Sequence, residues 1–376
     1  MVARLVTEII VVLIGIALLV CAYLTDHRWL DRHYLPSLEV PRRVYVLTVW
    51  LARAAAAVFG LVLVFFFRPR IGRLAARVRA GRLITDTAAI LLAITLALGT
   101  CELILRHTFG HAAEERPGDE EPLRRHDARV GWLFVPGRAG HEKIGGRVVE
   151  YAFDAAGYRV RRVDEPVDPE RPTVVFTGES VMLGYGLNWE ESIPAQVQAI
   201  LGTQCANMAV NGYATDQTYL RLLGELPRFR QPVAVVLIFI PKLFDRNLDQ
   251  DRPHLGPELV WLPGIYQWRL ARVRDIAIPY RSTEAIERAI YVTREVLGAA
   301  VKLARERGAT PLILMPQFTP EDPTEESLRR RILDEPELPY VLVKLDPRWH
   351  VPGDWHPDAH AAHEIAMAIA ARLQKH

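Results

Sequence analysis

The chain has 376 residues, half of them hydrophobic, a formal net charge of +2 and three cysteines. Its length leaves room for more than one domain. The near-neutral charge argues against a nucleic-acid binder, and three cysteines without paired spacing exclude a disulfide framework or a cysteine-ligated metal. The apolar residues are concentrated before about residue 106, which makes membrane topology the first question.

Three apolar stretches, 6–24, 44–67 and 84–105, each supply the ~20 helical residues needed to cross a bilayer core. A signal peptide is a poor match for the first of them, because Val20 before Cys21 does not fit a lipoprotein cleavage site and no A-x-A site follows. Residues 1–106 are therefore expected to form a three-helix anchor. Between the second and third stretches stand Arg68, Arg70, Arg73, Arg77, Arg79 and Arg82 without one acidic residue, the pattern of a loop retained in the cytoplasm. In the first loop, Arg28, Arg32, Arg42 and Arg43 are diluted by Asp26, Asp31 and Glu39. The N-terminus then lies inside and the chain beyond residue 106 outside a bacterial cytoplasmic membrane. Arg53, within the second stretch, is expected to snorkel to the outer surface or to pair with Glu102 of the third.

Residues 107–127 are polar, charged and broken by Pro117 and Pro122, as in a juxtamembrane linker. Residues 128–171 read as a small β module, with GWLFVPG at 131–137 and a strand–turn–strand pattern, VVEYAFDAAGYRV, at 148–160. From 172 to 376, short apolar runs alternate with helical stretches, which predicts a parallel sheet in a three-layer α/β/α sandwich. Its strands fall at 173–178, 205–210, 233–240, 310–316 and 340–345. A helix over 283–307 carries Ile286, Ile290, Leu297, Val301 and Ala304 on one face and stops at Gly308. The last helix is expected to begin near Pro357 and to turn Ala362, Ile365, Ile369 and Leu373 inward. In such a sheet, ligands bind beyond the carboxyl ends of the strands.

Three segments at those ends carry candidate chemistry. Residues 178–186 read GESVMLGYG, where Ser180 in a glycine-flanked turn either exposes a nucleophilic hydroxyl or caps a helix. After the second strand, Gly212 offers a backbone N–H to an oxyanion or simply makes a turn. Residues 353–357 read GDWHP, where Asp354 can hold the ring of His356. His360 and His363 read as solvent-facing helix residues, and no metal site is expected.

Together these segments resemble the SGNH (GDSL) hydrolase family from about Gly131 to the C-terminus. Gly178-Glu179-Ser180 is similar to the family's first block, usually Gly-Asp-Ser; Gly212 to the glycine of the second; Asp354 and His356 to the C-terminal block. The resemblance implies a flavodoxin-like α/β/α domain without a cofactor, in which His356 takes the proton of Ser180, Asp354 orients the imidazole, and an acyl-serine forms over an oxyanion hole of the Ser180 and Gly212 N–H groups. The third block normally supplies an asparagine just after the third strand, but residues 241–247 read PKLFDRN, leaving Lys242 or Asn247 to stand in. Glu179 replaces the usual aspartate, and one residue separates Asp354 from His356 where many members have two. The GWLFVPG and DAAGYRV segments resemble the pre-domain of a branch associated with bacterial envelope polysaccharides.

The expected protein is a membrane-anchored, extracytoplasmic serine esterase or O-acyltransferase acting on acyl esters of cell-envelope glycans. Its expected partners are the lipid bilayer, an acylated glycan or other ester, and a membrane-bound acyltransferase. The competing expectation is a non-catalytic glycan-binding or assembly partner that retains the fold after its oxyanion hole has decayed.

Overall fold

A computed structural model describes residues 2–27, 29–30, 34–36, 42–77, 80–109, 124–265, 268–269 and 280–375. The chain forms two compact units, Met1–Phe109 with Gln267–Ile286, and Gly110–Tyr266 with Glu287–His376.

The first unit contains α1 (Val2–Leu24), α2 (Arg42–Val62), a π-helical turn (Leu63–Phe67) running into α3 (Arg68–Arg77), and α4 (Ala80–Phe109). Three stretches, Leu5–Leu24, Arg43–Arg73 and Ala88–Leu105, are long and apolar enough to cross a membrane. Many of their large apolar side chains, Leu13, Trp50 and Leu96 among them, stand exposed, while Val11, Tyr45 and Val49 are buried, and two glycines let α1 and α2 approach closely. A Cβ at Gly15 would lie 2.9 Å from Gly60 O, and one at Gly60 2.8 Å from Gly15 O. Arg53 does not pair with Glu102. Its Nε donates to Ala22 O at 2.7 Å and its Nη2 to Tyr23 O at 3.4 Å, where the last carbonyls of α1 have no partner within their own helix. Glu102 Oε1 accepts the Arg269 backbone N–H at 2.9 Å. Strand β1 (Tyr34–Pro36), between α1 and α2, pairs antiparallel with Tyr280–Ser282.

The second unit opens with β2 (Arg124–Asp127) and β3 (Gly131–Phe134), an antiparallel pair. The end of the expected linker is thus a strand, while residues 110–123 lie outside the described residues. Next come β4 (Arg138–Ile144), β5 (Arg147–Phe153) and β6 (Arg159–Val160), then β7 (Thr173–Phe176), α5 (Ser180–Leu183), α6 (Ile193–Leu201), β8 (Gln204–Asn207), α7 (Thr215–Glu225) and β9 (Pro232–Ile238). After the short pair β10 (His254–Leu255) and β11 (Trp261–Leu262) and the strand β12 (Tyr280–Ser282) of the first unit follow α8 (Thr283–Glu306), β13 (Thr310–Gln317), α9 (Pro323–Arg329), β14 (Tyr340–Lys344) and α10 (Ala359–Leu373).

One mixed sheet holds the unit together, in the order β14-β13-β9-β7-β8-β6-β5-β4. Its first five strands are parallel. Val174, Val175, Val235, Val236, Ile313 and Leu314 are wholly buried, the continuous apolar run of strands covered on both faces. Residues 128–171 do not stand apart: β4, β5 and β6 extend this sheet antiparallel from β8. The chain leaves β7 toward β8 and then crosses back to β9, β13 and β14. With right-handed crossovers, that reversal puts α6 on one face and α7 and α8 on the other; α10 returns to pack on α6. The reversal also opens a crevice at the carboxyl ends beside β7. Helix α10 starts two residues later than its sequence suggests, because Asp358 caps it by accepting the N–H groups of His360 and Ala361. Ala362, Ile365 and Ile369 are buried as expected.

Candidate active site

Strand β7 ends at Phe176, and within three residues the chain has turned into α5. A Cβ at Gly178 would stand 2.5 Å from Ile238 Cγ2 and 2.9 Å from Met182 Cβ, so a side chain at this point would break the turn. The helix cap is Glu179, whose Oε2 accepts the Val181 N–H at 3.1 Å, and this leaves the Ser180 hydroxyl available to the site. The carbonyls at the end of α5 are satisfied from the neighbouring strands. Arg159 of β6, wholly buried, donates from Nη1 to Leu183 O at 2.6 Å and Gly184 O at 2.8 Å, and from Nη2 to Leu187 O at 2.5 Å. Asn207 of β8 donates to Met182 O at 3.2 Å. Burial pulls the Arg159 guanidinium down to about 10, and the same burial pushes the Tyr151 hydroxyl beneath it up to about 12.

The loop between β14 and α10 brings His356 Nε2 to 2.8 Å from Ser180 Oγ and its Nδ1 to 2.6 Å from Asp354 Oδ1. Asp354 Oδ1 also accepts the His356 backbone N–H at 3.0 Å, so the one-residue spacing lets a single oxygen hold both the main chain and the ring. Burial raises the Asp354 carboxyl, but the hydrogen bonds from the His356 backbone and ring outweigh it and leave the group below the usual carboxylate range. A carboxylate only accepts, so Nδ1 carries a proton toward it. The ring is buried between Trp355, centroids 3.9 Å apart, and Tyr185, 4.7 Å apart.

Gly212 follows β8 with φ +76°, a conformation that favours glycine. Among the described residues, neither its N–H nor that of Ser180 donates to a protein acceptor. The peptide before Gly212 is fixed by Trp132 of β3, whose Nε1 donates to Asn211 O at 2.9 Å. The C=O and N–H of one trans peptide point in opposite directions, so this bond also sets where the Gly212 N–H points. Arg252 Nη1 holds Gly212 O at 2.9 Å, and Tyr213 Oη donates to Trp132 O at 2.5 Å.

The segment after β9 is a run of 3-10 turns, Pro241–Leu248. Both ends of the Asn247 amide are engaged: Oδ1 accepts the Thr215 N–H at 3.1 Å, and Nδ2 donates to Thr215 Oγ1 at 3.2 Å and Thr293 Oγ1 at 2.8 Å. Lys242 Nζ donates to Thr319 Oγ1 at 3.2 Å and lies 3.8 Å from Glu325 Oε1. Neither residue hydrogen-bonds to Ser180, His356 or Asp354. His360 and His363 are exposed, the latter 2.7 Å from Gln196 Oε1. Among the described residues, no group of three or more His, Cys, Asp or Glu is placed to hold a metal ion. Arg159, Arg252 and Trp132 were not predicted from sequence: none lies in a strand-end motif, and although Trp132 and Arg159 fall in the 131–137 and 148–160 segments singled out there, nothing in those segments marks either side chain for a role at the site.

Fold and site define a class: an α/β protein whose parallel sheet carries a serine–histidine–aspartate row at its carboxyl edge. No family profile and no curated protein matches the chain. Among solved structures it is similar to a putative lipolytic protein of the G-D-S-L family from Desulfitobacterium hafniense, at 14% identity and TM-score 0.35 over 54% of this chain and 98% of that one. It is similar also to a putative acylhydrolase from Bacteroides fragilis, at 14% identity and TM-score 0.35 over 55% and 91%. An acetyl xylan esterase from Butyrivibrio proteoclasticus matches at 10% identity and TM-score 0.35 over 56% and 66%.

Proposed function

We propose that this protein is an SGNH-type serine esterase or O-acyltransferase that works on acyl esters of cell-envelope glycans, from the outer face of a bacterial cytoplasmic membrane. The observation that carries the proposal is the unbroken row from Ser180 Oγ through His356 to Asp354, at 2.8 and 2.6 Å. Ser180 attacks the acyl carbon while its proton passes to Nε2, and the Ser180 and Gly212 N–H groups receive the charge that develops on the carbonyl oxygen. Nε2–H then protonates the departing sugar oxygen. Water attacking the acyl-serine makes the reaction a hydrolysis; a glycan hydroxyl makes it a transfer. For transfer, the acyl group reaches Ser180 from a membrane-bound acyltransferase, because an extracytoplasmic space lacks activated acyl donors.

Three spans and the arginine-rich helix α3 support the outward orientation. The pairing of β1, between the first two spans, with Tyr280–Ser282 is further support, since two paired strands cannot lie on opposite sides of a bilayer. A membrane-impermeant fluorophosphonate applied to spheroplasts tests nucleophile and side together. The wild type is labelled and Ser180→Ala is not. Labelling that appears only after lysis refutes the orientation; labelling of Ser180→Ala, or none in lysed wild type, refutes the nucleophile.

A further inference from the structure

The Ser180 hydroxyl faces two acceptors. Its Oγ lies 2.6 Å from Glu179 Oε2 and 2.8 Å from His356 Nε2, while His356 Nδ1 lies 2.6 Å from Asp354 Oδ1. Each contact needs a proton between its two heavy atoms, so the row Glu179–Ser180–His356–Asp354 holds three protons in this geometry. A serine and a neutral imidazole bring only two. The third stands in one of two places. On Glu179, it is donated to Oγ while the hydroxyl points at Nε2. On Nε2, it is donated to Oγ while the hydroxyl points at the Glu179 carboxylate. Both arrangements hold the nucleophile back: in the first an acid draws on one of the two Oγ lone pairs, and in the second the base is already protonated.

We propose that Glu179 is a catalytic residue that holds this third proton jointly with His356, so that Ser180 reaches its full nucleophilicity only when the proton leaves to solvent. Once it has left, acylation proceeds with the Oγ–C bond forming as the hydroxyl proton moves to Nε2 and the carbonyl π pair moves to oxygen. The inference rests on the serine-nucleophile reading above. Glu179 is 6% exposed and its Oε1 has no hydrogen-bond partner, so Oε2 makes all the hydrogen bonds of the carboxyl group. Among the described residues, the charged and titratable groups that face the pair are Arg246 from the 3-10 segment, with Nη1 3.9 Å from Oε2, Asp354 behind the imidazole, and the Tyr185 phenol, whose ring lies 4.7 Å from the imidazole. An aspartate, usual in the Gly-Asp-Ser pattern, is shorter by one C–C bond of about 1.5 Å and would leave Oγ to His356 alone.

The test is the rate constant for fluorophosphonate labelling of Ser180 as a function of pH, measured on the full-length chain purified in detergent, for wild type, Glu179→Gln and Glu179→Asp. Removing or withdrawing one of the two acceptors weakens the hold on the third proton, so the onset of labelling moves to lower pH. The expected shift is about one pH unit or more for Glu179→Gln, with a shift in the same direction for Glu179→Asp. Glu179→Asp retains an acceptor for the helix cap and decides the matter if the glutamine variant does not fold. Labelling with the same onset in wild type and variants overturns the inference while leaving the nucleophile in place. Absence of labelling in wild type at every pH overturns the serine-nucleophile reading and this inference with it.

Discussion

On one side of Ser180 the His356 imidazole and the Asp354 carboxylate stand in a row, with contacts of 2.8 and 2.6 Å. On the other side the segment after β9 sends Lys242 to Thr319 and Glu325, and Asn247 to Thr215 and Thr293. The two sides place different demands on the sequence. Moving a proton requires particular side-chain atoms in a row. Stabilising an oxyanion requires only donors aimed at one point, and backbone N–H groups supply them whatever the residue. The absence of an asparagine just after β9 is tolerable to the extent that the Ser180 and Gly212 peptides supply the donors.

The comparison breaks first at the acid–base side. His356→Ala should lower kcat for ester cleavage about 10⁴-fold or more, whereas Asp354→Asn, which keeps the shape but loses the charge, should cost roughly 10²–10⁴. A His356→Ala enzyme within tenfold of wild type would sink the proton relay. The lowered Asp354 carboxyl also predicts a sign for stability. A carboxylate depressed by its native contacts stabilises above its unfolded value, and that contribution is lost as pH falls through the folded one. The gap in melting temperature between wild type and Asp354→Asn should therefore be full at neutral pH and close on acidification.

On the oxyanion side the expected effects are smaller. Trp132→Phe preserves an aromatic ring against Tyr213, now 5.5 Å away edge-on, but removes the Nε1–H that fixes the Asn211–Gly212 peptide. We expect kcat to fall about tenfold with KM little changed, less than the ~10²–10³ for losing an oxyanion donor outright. An unchanged kcat would show that Gly212 is positioned without the indole.

Sequence reading succeeded where residue type and period determine the outcome. The five parallel strands announce themselves as apolar runs, and Ser180, Gly212, Asp354 and His356 stand where strand ends put ligands. It failed where a residue acts against its usual habit. Arginine belongs at surfaces, yet Arg159 and Arg252 are buried donors to backbone carbonyls, and no pattern in the chain marks a carbonyl as lacking its partner. The sheet extension β6-β5-β4 is joined to β8 through the single register pair Arg159 and Asn207, too short a contact to leave a periodic trace. The residues around 280, inserted between β11 and α8, pair with a strand some 240 positions earlier, and nothing in local propensity names so distant a partner.

The smallest predicted effect is the sharpest test of the oxyanion side. Lys242 occupies the stretch where an asparagine donor is expected, and a lysine can in principle reach an oxyanion with its charge. Its ammonium is committed elsewhere, 3.2 Å from Thr319 Oγ1 and 3.8 Å from Glu325 Oε1, with the side chain 54% exposed. Glu325 is buried, and that burial raises its carboxyl, so losing the lysine costs some stability, but the ammonium's contacts lead away from Ser180. Lys242→Ala should therefore change kcat less than about threefold and leave KM as it was. Asn247→Ala should lower the melting temperature, because its amide ties the 3-10 segment to α7 and α8, with a comparably small effect on kcat. A hundredfold loss of kcat in Lys242→Ala, with the fold intact, would place the ammonium at the oxyanion and show that the third block has changed its donor rather than lost it.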